Sequence, residues 1–126
     1  MPFIHVHSLP FSPTFNVHSV VEGMSKDFAQ EMGVALTQVT ATWEFLQPGA
    51  YAVAGRTAGT QPFDSHPVLV DLLAPEFNDA ATIASMLNAV ARSISVRTGM
   101  PITNIFINYR QAHSDRVFNA GEVVHW

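Results

Sequence analysis

The strongest constraint on this chain is an internal repeat, in which two apolar patterns are related by a constant offset of 66 residues. The patterns consist of Val17, Val20, Val21, Met24 and Phe28 and of Ile83, Met86, Leu87, Val90 and Ile94. Each has the 3.6-residue period of one helix face. Each is followed by a glycine, Gly33 or Gly99, a residue that readily adopts the left-handed conformation at a helix end. The repeat therefore predicts two equivalent helices, whose candidate N-caps are Thr14 or Asn16 and Asn78 or Asp79.

Strand-like segments flank both helices at the same offset. Residues 3–7 correspond to residues 69–73, and residues 39–45 correspond to residues 105–111. A strand, a helix and a second strand form a βαβ unit with two parallel strands. We therefore predict an α+β fold, a two-layer sandwich in which two tandem βαβ units form a four-stranded sheet with both helices on one face.

We predict a single domain that spans residues 1–126. Its parts are a βαβ unit (1–46), a loop (47–66), a second βαβ unit (67–111) and a C-terminal tail (112–126). A loop this long in a small domain usually has a function. Turn residues in the tail predict a short hairpin, which could add a strand to the sheet edge of a neighbouring subunit.

The sheet face opposite the helices is predicted to mix polar and apolar side chains. Its expected residues are His5, His7, Thr40, Thr42, Glu44, Phe106, Asn108 and Arg110. Charged residues make up only 13% of the chain and apolar residues 48%, an apolar-rich composition for a protein of this size. Burial of this face between copies of the chain accounts for that composition, so we expect a cyclic oligomer.

The composition also argues against several classes of protein. The chain has no cysteine, so a disulfide framework or a thiolate metal site is excluded. A net charge of −4 with scattered lysine and arginine gives no basic stripe for nucleic acid. No signal-peptide pattern or membrane-length apolar run is present, which predicts a cytoplasmic protein without a membrane partner. No glycine-rich phosphate loop or catalytic triad is found, and we predict no cofactor.

The chain begins with Met1 and Pro2, and this pair suggests a catalytic amine. Initiator methionine is normally removed before a small residue, which would leave the secondary amine of Pro2 as the N-terminus. An unperturbed α-amino group titrates at about 7.7–8.0, so such an amine could act as a general base near neutral pH. The alternative is a proline that only starts a strand, where its missing N–H has no cost. If Met1 is retained, the Pro2 nitrogen is an amide without basicity.

With Pro2-Phe3-Ile4 at its start, Ile107-Asn108-Tyr109 in its last core strand, tandem βαβ units and this length, the chain resembles the tautomerase superfamily. The similar members are those like macrophage migration inhibitory factor and 4-oxalocrotonate tautomerase. The resemblance implies a homotrimer with active sites between subunits, in which Pro2 isomerises a small keto acid between keto and enol forms. It also implies that Asn108 lines the pocket of a neighbouring subunit. Relatives use a cationic proline as an acid for hydration, dehalogenation or decarboxylation.

Three positions differ from the pattern that the resemblance implies: Val34 replaces a lysine, Phe106 a tyrosine in the pocket, and Thr40 an arginine. A carboxylate substrate still needs a cation, because an unpaired anion in a dry pocket is very costly. Arg110 and Arg56 are the candidates for this substrate-binding role. The alternative function is a non-catalytic homotrimeric binding or scaffold protein of the same fold.

Four polar residues of the sheet allow more than one interpretation. His5 and His7 alternate on one strand face and could hold a metal with a third ligand, but no carboxylate at a suggestive spacing is evident. We therefore predict interface histidines and no metal site. Asp71 lies in an apolar run and is predicted to form an ion pair across an interface, with a role as acid or base as the alternative. Glu44 occupies the repeat position of Arg110, so these two could pair between subunits.

Overall fold

The computed structural model describes residues 1–126 and contains two helices, α1 and α2, and eight strands, β1 to β8. In chain order they are β1 (Phe3–Ser8), α1 (Val17–Met32), β2 (Thr40–Phe45), β3 (Ala52–Val53), β4 (Arg56–Thr57), β5 (Val68–Pro75), α2 (Ala80–Thr98), β6 (Ile105–Ala112), β7 (Val117–Asn119) and β8 (Glu122–Val124). A single 3₁₀ turn precedes β2 at Leu36–Gln38, and another precedes β6 at Ile102–Asn104. These equivalent turns are a further sign of the internal repeat.

The main sheet has the strand order β2-β1-β5-β6, which confirms the predicted α+β fold. The strands within each βαβ unit are parallel, whereas the two units meet through the antiparallel pair β1 and β5. In that central pair His5 lies opposite Asp71, and these residues are themselves 66 positions apart. An approximate twofold axis therefore passes between His5 and Asp71 and relates the two units.

Both helices begin and end at predicted residues. The side chains of Asn16 and Asp79 accept hydrogen bonds from backbone N–H groups in the first turns of α1 and α2, which satisfies donors without a helical partner. Gly33 and Gly99 follow the helices with φ angles of 67° and 78°, a conformation that costs glycine little. Local sequence signals therefore determine the helix ends.

The core lies between the helices and one face of the sheet. Its largest fully buried side chains are Phe28, Ile4, Leu9, Met24, Leu72, Ile94, Met100, Val6, Val68 and Val90. Alternation along the strands sends the intervening residues to the opposite face. That outer face carries Phe3, His5, His7, Thr40, Thr42, Glu44, Leu69, Asp71, Leu73, Phe106, Asn108 and Arg110. The eight residues predicted for this face all lie on it.

A hydrogen-bonded ion pair joins the two helices. Arg97 of α2 donates to both carboxylate oxygens of Asp27 on α1, at 2.7 and 2.9 Å, and the Ser93 hydroxyl donates to the same carboxylate at 2.6 Å. The hydrogen bond from Arg97, aided by that from Ser93, lowers the pKa of Asp27 below its usual value. The guanidinium lies over Gly23, where a Cβ atom would collide with it. Gly23 thus makes room for the pair.

Two hairpins lie outside the main sheet. Strands β3 and β4 form a small hairpin within the long loop, and β7 and β8 form another in the C-terminal tail. Glu76 anchors the tail, because it hydrogen-bonds the His113 ring at 2.5 Å and the Ser114 backbone N–H at 3.1 Å. The addition of the tail hairpin to a neighbouring subunit stays a prediction. Neither helix has the length and apolar character needed to cross a membrane.

The Asp27–Arg97 pair predicts a pH-dependent contribution to stability. Asp27→Asn should lower the free energy of unfolding at pH 7 by about 1 kcal/mol, since a partly exposed pair is screened by water. The folded-state pKa of Asp27 is lowered, so its stabilisation is present above the unfolded value of 3.8 and is lost as pH falls through the folded value. Urea unfolding of both proteins from pH 7 to pH 2 measures the difference.

The matched control for this experiment is Asp64→Asn. Asp64 is an exposed loop acid without an ion pair, so its substitution should leave the unfolding free energy nearly unchanged at every pH. If the wild type exceeds Asp27→Asn in unfolding free energy by as much at pH 2 as at pH 7, the stabilisation by Asp27 is not ionic.

Candidate functional site

Pro2 lies at the start of the central strand β1 and is buried. Its carbonyl oxygen accepts a hydrogen bond of 3.0 Å from the backbone N–H of Thr40, which ties it to the start of β2. The antiparallel register places the end of β5 on its other side, because Phe3 lies opposite Leu73. Pro2 therefore occupies a fixed position at one end of the sheet, between the ends of two other strands.

The surroundings of this strand end affect the charge of an amine. Burial lowers the pKa of the Met1 amine below its usual value of 8.0, because the charged form loses solvation. Pro2 is more deeply buried than Met1. The α-amino group of Met1 at this strand end is therefore shifted towards the neutral form, which is the form that accepts a proton.

Phe106, Asn108 and Arg110 lie side by side on the outer face of β6. Phe106 and Asn108 line a depression of about 370 Å³ between β6 and β5. Within one chain β6 is two strands away from β1, a separation of about 10 Å. The chain brings these three predicted residues together but does not bring them to its own Pro2.

Arg110 has a partner in the same chain. Its Nε donates a hydrogen bond of 3.0 Å to Asp71, which lies opposite Asn108 on the neighbouring strand. The predicted pairing of Asp71 across an interface is therefore wrong, since its partner comes from its own chain. Only Nε of the guanidinium is used, so its terminal nitrogens remain available to a carboxylate ligand.

Arg56 lies at the opposite end of the sheet from Pro2. Its backbone carbonyl accepts a hydrogen bond of 2.7 Å from His66, two residues before β5 begins. The start of β5 pairs with the end of β1, and β1 spans about 20 Å from Pro2 to that end. Arg56 is exposed and cannot reach the Pro2 of its own chain.

A second polar cluster on the outer face consists of His5, His7 and Glu44. The Nε2 atoms of the two histidines are 3.0 Å apart, and Glu44 Oε2 lies 3.3 Å from His5 Nε2 and 2.8 Å from His7 Nε2. The Thr42 hydroxyl is 2.7 Å from Nδ1 of His5. The view that these histidines lack a carboxylate is therefore wrong, and the three side chains could hold a metal ion.

The sequence does contain a signal for this cluster. The parallel register of β1 and β2 places His7 opposite Glu44 and His5 opposite Thr42. Matching the outward-facing residues of β1 and β2 in chain order, as parallel pairing requires, would have found the carboxylate. The repeat position instead suggested Arg110 of another subunit as the partner of Glu44; β2 and β6 are opposite edges of the sheet within one chain, so that pairing stays a prediction.

Comparisons with known proteins give structural matches alone. No protein-family model matches the chain, and no curated protein matches it. A structure of Pt0534 inactivated by 2-oxo-3-pentynoate superposes with a TM-score of 0.80 at 14% identity, covering 97% of this chain and 94% of that one. A fused 4-OT, a wild-type symmetric trimer, gives 0.77 at 17% identity, covering 97% and 94%. N1, a member of the cis-3-chloroacrylic acid dehalogenase family, gives 0.76 at 15% identity, covering 97% and 82%.

Proposed function

The chain has the fold of the tautomerase superfamily, and on that premise we propose that it is an isomerase with Pro2 as its general base. After removal of Met1, the neutral Pro2 amine would take the hydroxyl proton of an enol substrate. The amine would then return a proton to the adjacent carbon, which gives the keto form. The proton is conserved, and the step requires neither an oxidant nor a cofactor.

The burial of Pro2 at the start of β1 is the observation that carries this proposal. A strand fixes the nitrogen more firmly than a loop would, and fixed geometry is what general-base catalysis requires. Burial lowers the pKa of an amine in this region, which raises the fraction of neutral base at pH 7.

We further propose that the chain forms a homotrimer in which a neighbouring subunit completes each site. Phe106 is 57% exposed and Phe3 38% exposed, so the outer sheet face presents large apolar groups to water in the isolated chain. Covering this face with other subunits would bury these groups. It would also bring Phe106 and Asn108 of one subunit towards the Pro2 of another, in line with the trimeric assembly of the fused 4-OT.

The substrate proposed for this site is a small keto acid, and its carboxylate would bind an arginine. Arg110 presents two free terminal nitrogens, because Asp71 engages only its Nε. Arg56 is exposed, and no carboxylate of the chain forms an ion pair with it. Arg56 can reach Pro2 only in another subunit, whereas Arg110 lies at the same end of the sheet as Pro2 and two strands away from it.

One observation favours the alternative function, a non-catalytic homotrimeric binding or scaffold protein. Neither candidate arginine lies beside Pro2 within the chain, and Pro2 is buried while Met1 precedes it. If Met1 is retained in the mature protein, this alternative is the function that remains.

The first test compares the native protein with Pro2→Ala. Intact mass should show that Met1 is absent from the native protein. Ketonisation of phenylpyruvate enol or 2-hydroxymuconate should fall in kcat/KM in the variant, by less than the roughly 10²–10⁴-fold that a general base usually contributes, because alanine leaves a primary amine in place of the secondary one. Pro48→Ala, at an exposed loop proline, is the control and should keep the native rate. Equal rates for Pro2→Ala and the native protein, or no rate for either on a broad panel of keto acids, would refute the proposed isomerase activity of Pro2.

The second test identifies the cation that binds the substrate. Arg110→Gln or Arg56→Gln should raise KM by roughly 10- to 100-fold, the loss expected for a charge-assisted hydrogen bond, with little change in kcat. Arg116→Gln, at an exposed arginine in the tail, is the control. Unchanged kinetics in both variants would contradict binding of an anionic substrate by these arginines.

A further inference from the structure

We propose that His5, His7 and Glu44 form a binding site for one divalent transition-metal ion of the zinc class. The two histidines project from alternate positions of β1, and Glu44 projects from β2 directly opposite His7. All three ligands therefore lie on regular, paired strands rather than on loops. Such a scaffold holds the donor atoms in place before the metal arrives. None of the three ligands has a role in the chemistry proposed for Pro2.

The distances between the donor atoms fit a metal. With metal–nitrogen and metal–oxygen distances of about 2.0–2.2 Å, tetrahedral ligands lie about 3.3–3.6 Å apart. The three donor separations are 3.0, 2.8 and 3.3 Å. Small side-chain rotations that widen the triangle by a few tenths of an ångström would admit the ion at its centre.

Hydrogen bonds alone do not satisfy this triangle. Each histidine Nε2 carries at most one hydrogen, and an ionised carboxylate carries none. If both rings carry a hydrogen on Nε2, two donors face each other at 3.0 Å; if only one does, a single hydrogen serves three short contacts. A divalent cation at the centre accepts a lone pair from all three atoms at once.

Thr42 is placed to support the ring form that a metal needs. Its hydroxyl lies 2.7 Å from Nδ1 of His5, so it can accept the Nδ1 hydrogen and leave the Nε2 lone pair free. Metal-binding histidines generally donate their second ring N–H to a partner of this kind, which fixes the tautomer and the ring orientation. Thr42 is therefore a positioning residue for the site.

The neighbouring strand leaves a coordination position open. Asp71 lies opposite His5 on the same face, but it pairs with Arg110, and its carboxylate is not among the ligand atoms that cluster with His5, His7 and Glu44. The cluster instead borders a depression of about 330 Å³ lined also by Phe3, Leu73, Asp71 and Arg110. Three protein ligands and an open position are the arrangement in which zinc holds an exchangeable water. Two imidazoles and one carboxylate also favour zinc, cobalt, nickel or copper over magnesium and calcium, which prefer oxygen donors.

A metal titration of the full-length protein tests this site. Chelator-treated protein in its native assembly should bind one Zn²⁺ per chain in competition with a chromogenic chelator. His7→Gln and Glu44→Gln should each weaken binding by more than tenfold, and Thr42→Val by about tenfold. His18→Gln, at an exposed histidine of α1, is the matched control and should bind as the wild type does. Mg²⁺ at the same concentration should not compete.

The nearly isosteric Glu44→Gln variant decides the outcome if a histidine variant fails to fold. Co²⁺ provides an independent readout, since its visible absorption is far stronger for four ligands than for the six of the aqueous ion. The proposal is supported if Co²⁺ develops the strong band in wild type and in His18→Gln but not in Glu44→Gln. It is overturned if Zn²⁺ binds Glu44→Gln and His7→Gln as tightly as wild type, or if wild type binds no stoichiometric metal.

Discussion

The pairing of β1 with its two neighbours is the constraint on which the rest of the structure depends. Because β1 lies in the centre of the sheet, every second side chain is buried under the helices and the others face outwards. The parallel register with β2 ties Pro2 to Thr40 and places Glu44 beside His7. The antiparallel register with β5 places Asp71 opposite His5. One strand thus sets the position of the proposed base and of the proposed metal ligands.

The repeat made the helices, their caps and the sheet faces predictable, because all of these follow from local sequence. Asn16 and Asp79 were each one of two candidate N-caps, and the φ angles of Gly33 and Gly99 are those expected of helix-ending glycines. The two-residue alternation of the strands identified the outer face correctly. Local patterns determine the conformation of a segment and the direction of its side chains, and these predictions needed nothing more.

The partners of the polar residues were less predictable, because they depend on which strands are neighbours. The repeat relates His5 and Glu44 to Asp71 and Arg110, and the structure contains a contact within each pair. The same offset suggested pairing between Glu44 and Arg110 of different subunits, which lie on opposite edges of the sheet within one chain, and this pairing stays a prediction. Equivalence in a repeat indicates similar environments, whereas contact requires adjacent strands. The residues at the proposed Pro2 site come from two ends of the sheet, so the arrangement of subunits decides whether they meet.

The proposed reaction depends on the protonation state of the Pro2 nitrogen. An NMR titration of protein labelled with ¹⁵N-proline measures that state directly. The N-terminal nitrogen should titrate as a single amine whose pKa lies below the usual α-amino range of about 7.7–8.0, because burial disfavours the charged form. Such a value would show that Met1 is removed and that a base is available at neutral pH. A Pro2 nitrogen that does not titrate, or that titrates above this range, would contradict the account.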